Sequence, residues 1–312
     1  MHRAAGGGRL TGLGAAAYRL LAGTGVATRL RRRRPAATIL CYHNVVPDPL
    51  EGRVGDRSLH LGAGRLAEHL DWIAHAFTPV PLLELLARLA DGRSVDGLAV
   101  VTFDDAYAGA LRNAGPLLAA RGIPATFFVV TSAANHPAPF WWDRLGDEGR
   151  LDDRTRLECR DDLQGDPARI ATAYPPLASG GTEGPDLLAA DWTALREAAR
   201  IGFGVESHSR THRNLTRLPP DELRLELEGS RHDLREALGR PPRLVSYPYG
   251  CLNGAVRQAA ADAGYEGGIA LSYGRVAAGD EPFSLIRVNV PAGLPVATLE
   301  CWASGIRWKP PS

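Results

Sequence analysis

Two adjacent carboxylates, Asp104 and Asp105, follow a strongly apolar run in GLAVVTFDDAY. Neighbouring side chains of a strand point to opposite faces, so this pair can share one site only where the strand ends. A helix N-cap with an acidic neighbour is the alternative, because a helical pattern follows. Further along, HSRTH carries His208 and His212. Four-residue spacing sets two imidazoles side by side on a helical turn, a common metal-binding arrangement. Unrelated surface or core histidines also fall at that spacing. Taken with Asp105, the pair supplies two nitrogens and one oxygen, leaving positions open for water and substrate as a catalytic metal site requires.

Elements must bring these residues together. Apolar runs read as strands at 37–42, 97–103, 124–130, 204–207 and 243–249, with two more in YEGGIAL and SLIRVNV. Helical spacing occupies 64–76, 81–91, 106–122 (interrupted by Pro116), 191–202, 219–239 and 253–264. Strands separated by helices of this length predict right-handed βαβ units and a parallel sheet or barrel. Four polar clusters come directly after strands: Cys41-Tyr42-His43-Asn44, Thr102-Phe103-Asp104-Asp105, Glu206-Ser207-His208 and Ser246-Tyr247-Pro248-Tyr249-Gly250. Catalytic groups of a parallel barrel sit at the carboxyl ends of its strands, so these clusters are expected on one rim. Residues 134–190 break the rhythm and predict an inserted, lid-like segment over the site.

TFDDAY (102–107), HSRTH (208–212) and YPYG (247–250), in this order, resemble the first three motifs of the polysaccharide deacetylases, the NodB-homology group or carbohydrate esterase family 4. The resemblance covers most of 36–290, including ILCYHNV and PATFFVV. It implies an α/β fold, a distorted (β/α) barrel of the NodB type, and hydrolysis of N-acetyl groups on an amino sugar, polysaccharide or lipid-linked glycan. It also implies a divalent metal, Zn2+ first, with Co2+, Ni2+ or Mn2+ as alternatives. By match to the motifs, Asp104 is the general base, Asp105, His208 and His212 are the metal ligands, and the Tyr249 backbone N–H helps hold the oxyanion.

The chemistry suits those roles. A metal polarises the amide carbonyl, a carboxylate deprotonates water, and a backbone donor stabilises the tetrahedral oxyanion. The departing amine needs an acid, for which His43 is the candidate; a structural hydrogen bond under the rim is its other reading. Tyr107, Pro248, Trp141, Trp142 and Arg287 complete the candidates as substrate-binding residues, although tryptophans at a domain edge also serve as packed core. Two departures stand out. Ala106 replaces the family's glycine after the aspartates, adding a methyl group where backbone could approach substrate. Ser246 replaces the arginine that orients the base, and Arg287 is the residue that could restore its charge. Neither removes a ligand. A non-catalytic carbohydrate-binding protein, or a hydrolase of another C–N bond such as a cyclic amide or formyl group, remains open.

Length allows one large α/β domain or two small ones, and composition is that of a globular chain: 312 residues, ordinary apolar content and a formal charge of +1. That charge gives no reason to expect nucleic acid. Cys41, Cys159, Cys251 and Cys301 form no CxxC pair, so reduced, buried thiols and a cytoplasmic setting are expected. Domain boundaries are expected at 1–35 (a basic extension), 36–295 (the deacetylase domain) and 296–312 (a tail with Trp302 and Trp308). No acidic residue precedes Asp48, and Arg31 to Arg34 follow a mildly apolar stretch. This segment reads either as a frayed Ala/Gly-rich extension or as a weak interfacial anchor whose arginines face anionic lipid.

Overall fold

Consecutive apolar residues become strands here because the sheet is covered on both faces, so neither side of a strand needs polar residues. In the computed structural model, which describes residues 12–48, 55–177 and 184–307, ten strands form: β1 (Thr38–Tyr42), β2 (Asn44–Val46), β3 (His60–Gly62), β4 (Thr78–Pro79), β5 (Leu98–Phe103), β6 (Ala125–Val129), β7 (Gly204–Ser207), β8 (Leu244–Ser246), β9 (Gly267–Ile269) and β10 (Val288–Asn289). Eight build one all-parallel sheet in the order β10-β1-β5-β6-β7-β8-β9, with β4 also on β5, while β2 and β3 pair separately. An isolated parallel bridge runs from Ile269 of β9 to Leu285, three residues ahead of β10. The result is the distorted α/β barrel expected.

Pleating divides the core. Leu40, Val101, Phe103 and Phe127 join the crossover helices through Leu66, Leu70, Ile73, Leu118 and Leu195. Ile39, Val100, Phe128, Leu244 and Ile269 cluster with Leu82, Leu85 and Leu86 of the helix Leu82–Ala90. The predicted helix over 106–122 forms as a π-turn, Ala110–Ala114, followed by Gly115–Ala119, with Pro116 in the latter's first turn, where it lacks no needed donor.

Two expectations on organisation change. The N-terminal segment is not a frayed extension within the described residues: it forms helices Gly12–Gly23 and Val26–Arg33, broken at Gly25 (φ 70°). Tyr18 and Ala27 bury against Cys301 of the helix Val296–Ala303, and Trp302 Nε1 donates to Tyr18 Oη at 3.2 Å. The supposed extension and tail therefore pack on each other, closing the amino-terminal end of the barrel, where Thr38 of β1 donates to the Ala303 carbonyl. Residues 1–11 and 308–312, Trp308 among them, lie outside the described residues. The insert has secondary structure of its own. It folds into short helices Thr131–Asn135, Trp141–Asp147, Asp153–Leu157 and Pro167–Ala173, and bridges from Leu188 and Ala189 return it to Pro139 and Tyr107. No helix of the described residues is long and apolar enough to cross a membrane.

Candidate active site

All four polar clusters lie at the carboxyl ends of parallel strands of one sheet, β1, β5, β7 and β8, with β6 between β5 and β7. After Phe103 the backbone turns left-handed at Asp105 (φ 65°) and Ala106 (φ 47°). Two L-residues in this region cost about 1–2 kcal/mol each, and they are what brings two successive carboxylates to one site. The turn is pinned by Asp104 N–H to the Tyr42 carbonyl (2.9 Å) and Ala190 N–H to the Ala106 carbonyl (2.9 Å). Ala106 is buried, so its methyl group faces the core and the concern over substrate approach falls away.

Asp104 is 2% exposed. Arg287 grips it with both ends of the guanidinium, Nη1 to Oδ1 and Nη2 to Oδ2, each at 2.7 Å. The same Nη2 donates to Ser246 Oγ (2.9 Å), which in turn lies 3.3 Å from both carboxylate oxygens. Burial alone would raise this carboxyl, but the adjoining guanidinium outweighs it and holds the group well below the usual carboxylate range. Arg287 thus supplies from β10's approach the charge missing at Ser246. Assigned to substrate on sequence, it is fully buried and turned to Asp104 instead.

Asp105 Oδ1 stands 3.5 Å from His208 Nε2 and 3.4 Å from His212 Nε2. That oxygen is buried without a hydrogen-bond partner. Two ligand atoms each about 2.1 Å from one tetrahedral ion stand about 3.4 Å apart, so the trio fits a divalent cation such as zinc. His208 donates Nδ1–H to the Ser246 carbonyl at 2.7 Å, which leaves Nε2 with its lone pair toward Asp105. Burial, reinforced by Asp104 and Asp143, pushes the Asp105 carboxyl well up in the absence of a cation. Burial also lowers both histidines, keeping them neutral, as ligands must be.

The histidine pair does not ride on a helix, as its spacing suggested. Ser209 and His212 both have positive φ (62° and 61°), and the chain between is a tight loop. Buried Glu226, from the helix Pro220–Leu238, holds it by accepting from Arg210 N–H (3.0 Å), Thr211 N–H (2.9 Å) and the Thr211 hydroxyl. Sequence reasoning missed Glu226, and its only signal is a carboxylate on the helix face carrying Leu223 and Leu227.

His43 lies half-exposed beside Cys41 and Asp104, their donor atoms all within 4.8 Å. Burial of its ring outweighs the Asp104 charge and lowers its pKa to about 4, so the imidazole starts neutral. Tyr249 adopts φ 59° in the turn Pro248–Gly250, its ring edge-to-face with His212 at 4.6 Å between centroids. Pro248 is buried beneath it.

Tyr107 and Trp142, expected at substrate, are buried instead. Tyr107 Oη donates to Asp143 Oδ2 (2.6 Å) and accepts from Trp142 Nε1 (2.7 Å). Trp142 stacks on Phe140 (4.6 Å) and lies 4.8 Å from the His212 ring. Asp143 also accepts from His60 Nε2 and Asp56 N–H, both at 2.9 Å, while Asn44 serves His60 Nδ1 at 3.0 Å. This network was not foreseen. Trp141 is half-buried, 5.3 Å edge-on to Trp142.

Known proteins share this fold. The chain is 21% identical over 270 residues to YxkH of Bacillus subtilis (strain 168), covering 85% of this chain and 75% of that protein. Its fold is that of the Streptococcus pyogenes deacetylase PplD, solved in complex with acetate (TM-score 0.61, 17% identity, 85% of this chain and 97% of that one). It is equally that of a de-N-acetylase from Aggregatibacter actinomycetemcomitans (TM-score 0.62, 20% identity, 85% and 99%). The family model described as "Polysaccharide deacetylase" matches residues 91–268, more than half of the chain and the span holding all three motifs. The chain belongs to the polysaccharide deacetylase family, whose members are hydrolases acting on the N-acetyl C–N bonds of sugars.

Proposed function

We propose that this protein is a divalent-metal-dependent N-deacetylase of an amino-sugar glycan, with Asp105, His208 and His212 as ligands, Asp104 as base and His43 as proton donor. The observation that carries the reading is the unpartnered Asp105 Oδ1 between two imidazole Nε2 atoms, with the Asp104 carboxylate 3.8 Å from His208 Nε2. When bound, a divalent ion, zinc first and cobalt, nickel or manganese as alternatives, polarises the acetyl carbonyl and acidifies a water.

The chain's own residues do the rest. Arg287 keeps Asp104 ionised, so it can accept the proton of the attacking water. Neutral His43, in the same cluster, takes over the proton that Asp104 accepted from the water and delivers it to the departing amine, giving acetate and a free amino sugar with Asp104 ionised again. The Tyr249 backbone N–H, offered by the left-handed turn, donates to the oxyanion. Trp141, half-exposed at the rim, remains the aromatic residue available to a sugar ring. The departures that favoured a non-catalytic binder are both compensated, Ala106 by facing the core and Ser246 by Arg287.

Metal analysis of the purified protein, coupled to acetate release from a panel of N-acetylated glycans, tests the reading. Asp104→Asn is expected to lower turnover by about 10²–10⁴-fold with one metal per chain retained. Undiminished acetate release from that variant would sink the assignment of the base.

A further inference from the structure

We infer that the outward face of the N-terminal helix pair docks on an anionic bilayer surface, with the candidate active site at the opposite end of the barrel. Charge in this chain is segregated. The first 35 residues hold eight of its 36 basic residues and none of its 35 acidic ones, so the remainder carries 28 basic against 35 acidic. A near-neutral total conceals a basic pole.

The structure shows where that pole lies and what it presents. Tyr18, Ala27 and Arg31 turn inward. Along the outside of Gly12–Gly23 run Ala16, Arg19, Leu20 and Gly23, and Arg29, Leu30, Arg32, Arg33 and Arg34 continue the exposed surface. Leu20, at 67%, is the most exposed large apolar side chain among the described residues, and Leu30 is also exposed. On the flanks, arginines pair with carboxylates, as Arg88 does with Glu84, Arg121 with Asp71 and Arg200 with Glu197. No such pair involves Arg19, Arg29, Arg32, Arg33 or Arg34 among the described residues. Arg31 differs in being buried; it and Arg32 border a cleft that also holds Asp96 and Glu300, whereas Arg19, Arg29, Arg33 and Arg34 lie outside that lining.

Unpaired arginines interleaved with exposed leucines suit a surface that offers phosphates above an apolar layer. Nucleic acid offers the phosphates but no use for the leucines. Position fits as well. Arg275 ties the Arg34 and Ala36 carbonyls down beside the start of β1, while His43 follows that strand's far end. Five strand residues, at about 3.3 Å each, set the two poles at least roughly 16 Å apart.

Co-sedimentation of the full chain with phosphatidylglycerol/phosphatidylcholine vesicles, against phosphatidylcholine alone, reads the docking. Binding to the anionic vesicles alone, weakened by added salt, is expected. The exposed quadruple variant R29Q/R32Q/R33Q/R34Q should lose at least about tenfold in partitioning, and Leu20→Ser should weaken it further. Hydrogen exchange on vesicles should slow amides across 16–34 and leave 208–214 and 247–251 unchanged. Equal partitioning to both vesicles, an unaffected quadruple variant, binding to nucleic acid but not to vesicles, or protection centred on the site loops would each overturn the inference. None of these readouts depends on deacetylase activity.

Discussion

Asp104 is a buried anion whose cost is offset by one residue, Arg287, through two 2.7 Å contacts. Removing one partner of such a pair leaves an uncompensated charge and typically costs about 3–5 kcal/mol. Arg287→Gln is therefore expected to lower unfolding stability in urea by that order, and to weaken activity by letting the Asp104 carboxyl rise. Arg287→Lys keeps the charge but loses the two-pronged grip, so it should fall between. Equal stability of all three proteins would mean that Asp104 is protonated in the fold. At this scale the sequence revealed residue types and spacing. That Asp104, Asp105, His208 and His212 would converge was legible because they follow strands of one parallel sheet. The facing of side chains was not. Arg287 reaches Asp104 only through the pairing of β10 with β1, and nothing in WWDRL tells a ring that meets sugar from one that backs a ligand.

The insert acts as a wall whose carboxylate, Asp143, is satisfied by Asp56, His60 and Tyr107 from two other segments. Tyr107→Phe removes the hydroxyl that serves Asp143 and receives Trp142. Leaving those buried groups short of a partner costs about 1–3 kcal/mol. We expect that loss in denaturant unfolding, together with weaker metal retention in chelator competition, because Trp142 packs against His212. An insert that opened freely as a lid would show neither change. Periodicity identified the long helices well, Ala63–Ala76 and Pro220–Leu238 among them, since their apolar stripes are unambiguous. It failed where left-handed residues interrupt the pattern, as at Ser209 and His212. It also failed for the N-terminal helices, whose burial depends on a partner almost three hundred residues away.

Across the whole molecule, buried titratable groups tie stability to pH, His69 in one direction and Asp105, at the proposed metal site, in the other. His69 is held between the Tyr42 hydroxyl (3.4 Å) and the Leu294 carbonyl (2.8 Å), and burial lowers its pKa to about 4. The unfolded chain takes up this proton near pH 6.5, before the folded one can. Stability present above that value is thus lost as pH falls towards 4, by roughly 3 kcal/mol from this group alone. Asp105 has the opposite sign. Its folded carboxyl is raised, so its ionisation costs the metal-free fold more as pH rises, and a bound cation removes that cost. The gain in unfolding midpoint on adding Zn2+ to chelator-stripped protein should therefore be larger near about pH 8 than near about pH 5. Asp105→Asn should abolish that difference while leaving the acid slope of His69 intact. If zinc raised the midpoint equally at both pH values, or the Asn variant responded like the parent, Asp105, His208 and His212 would not be sharing one ion.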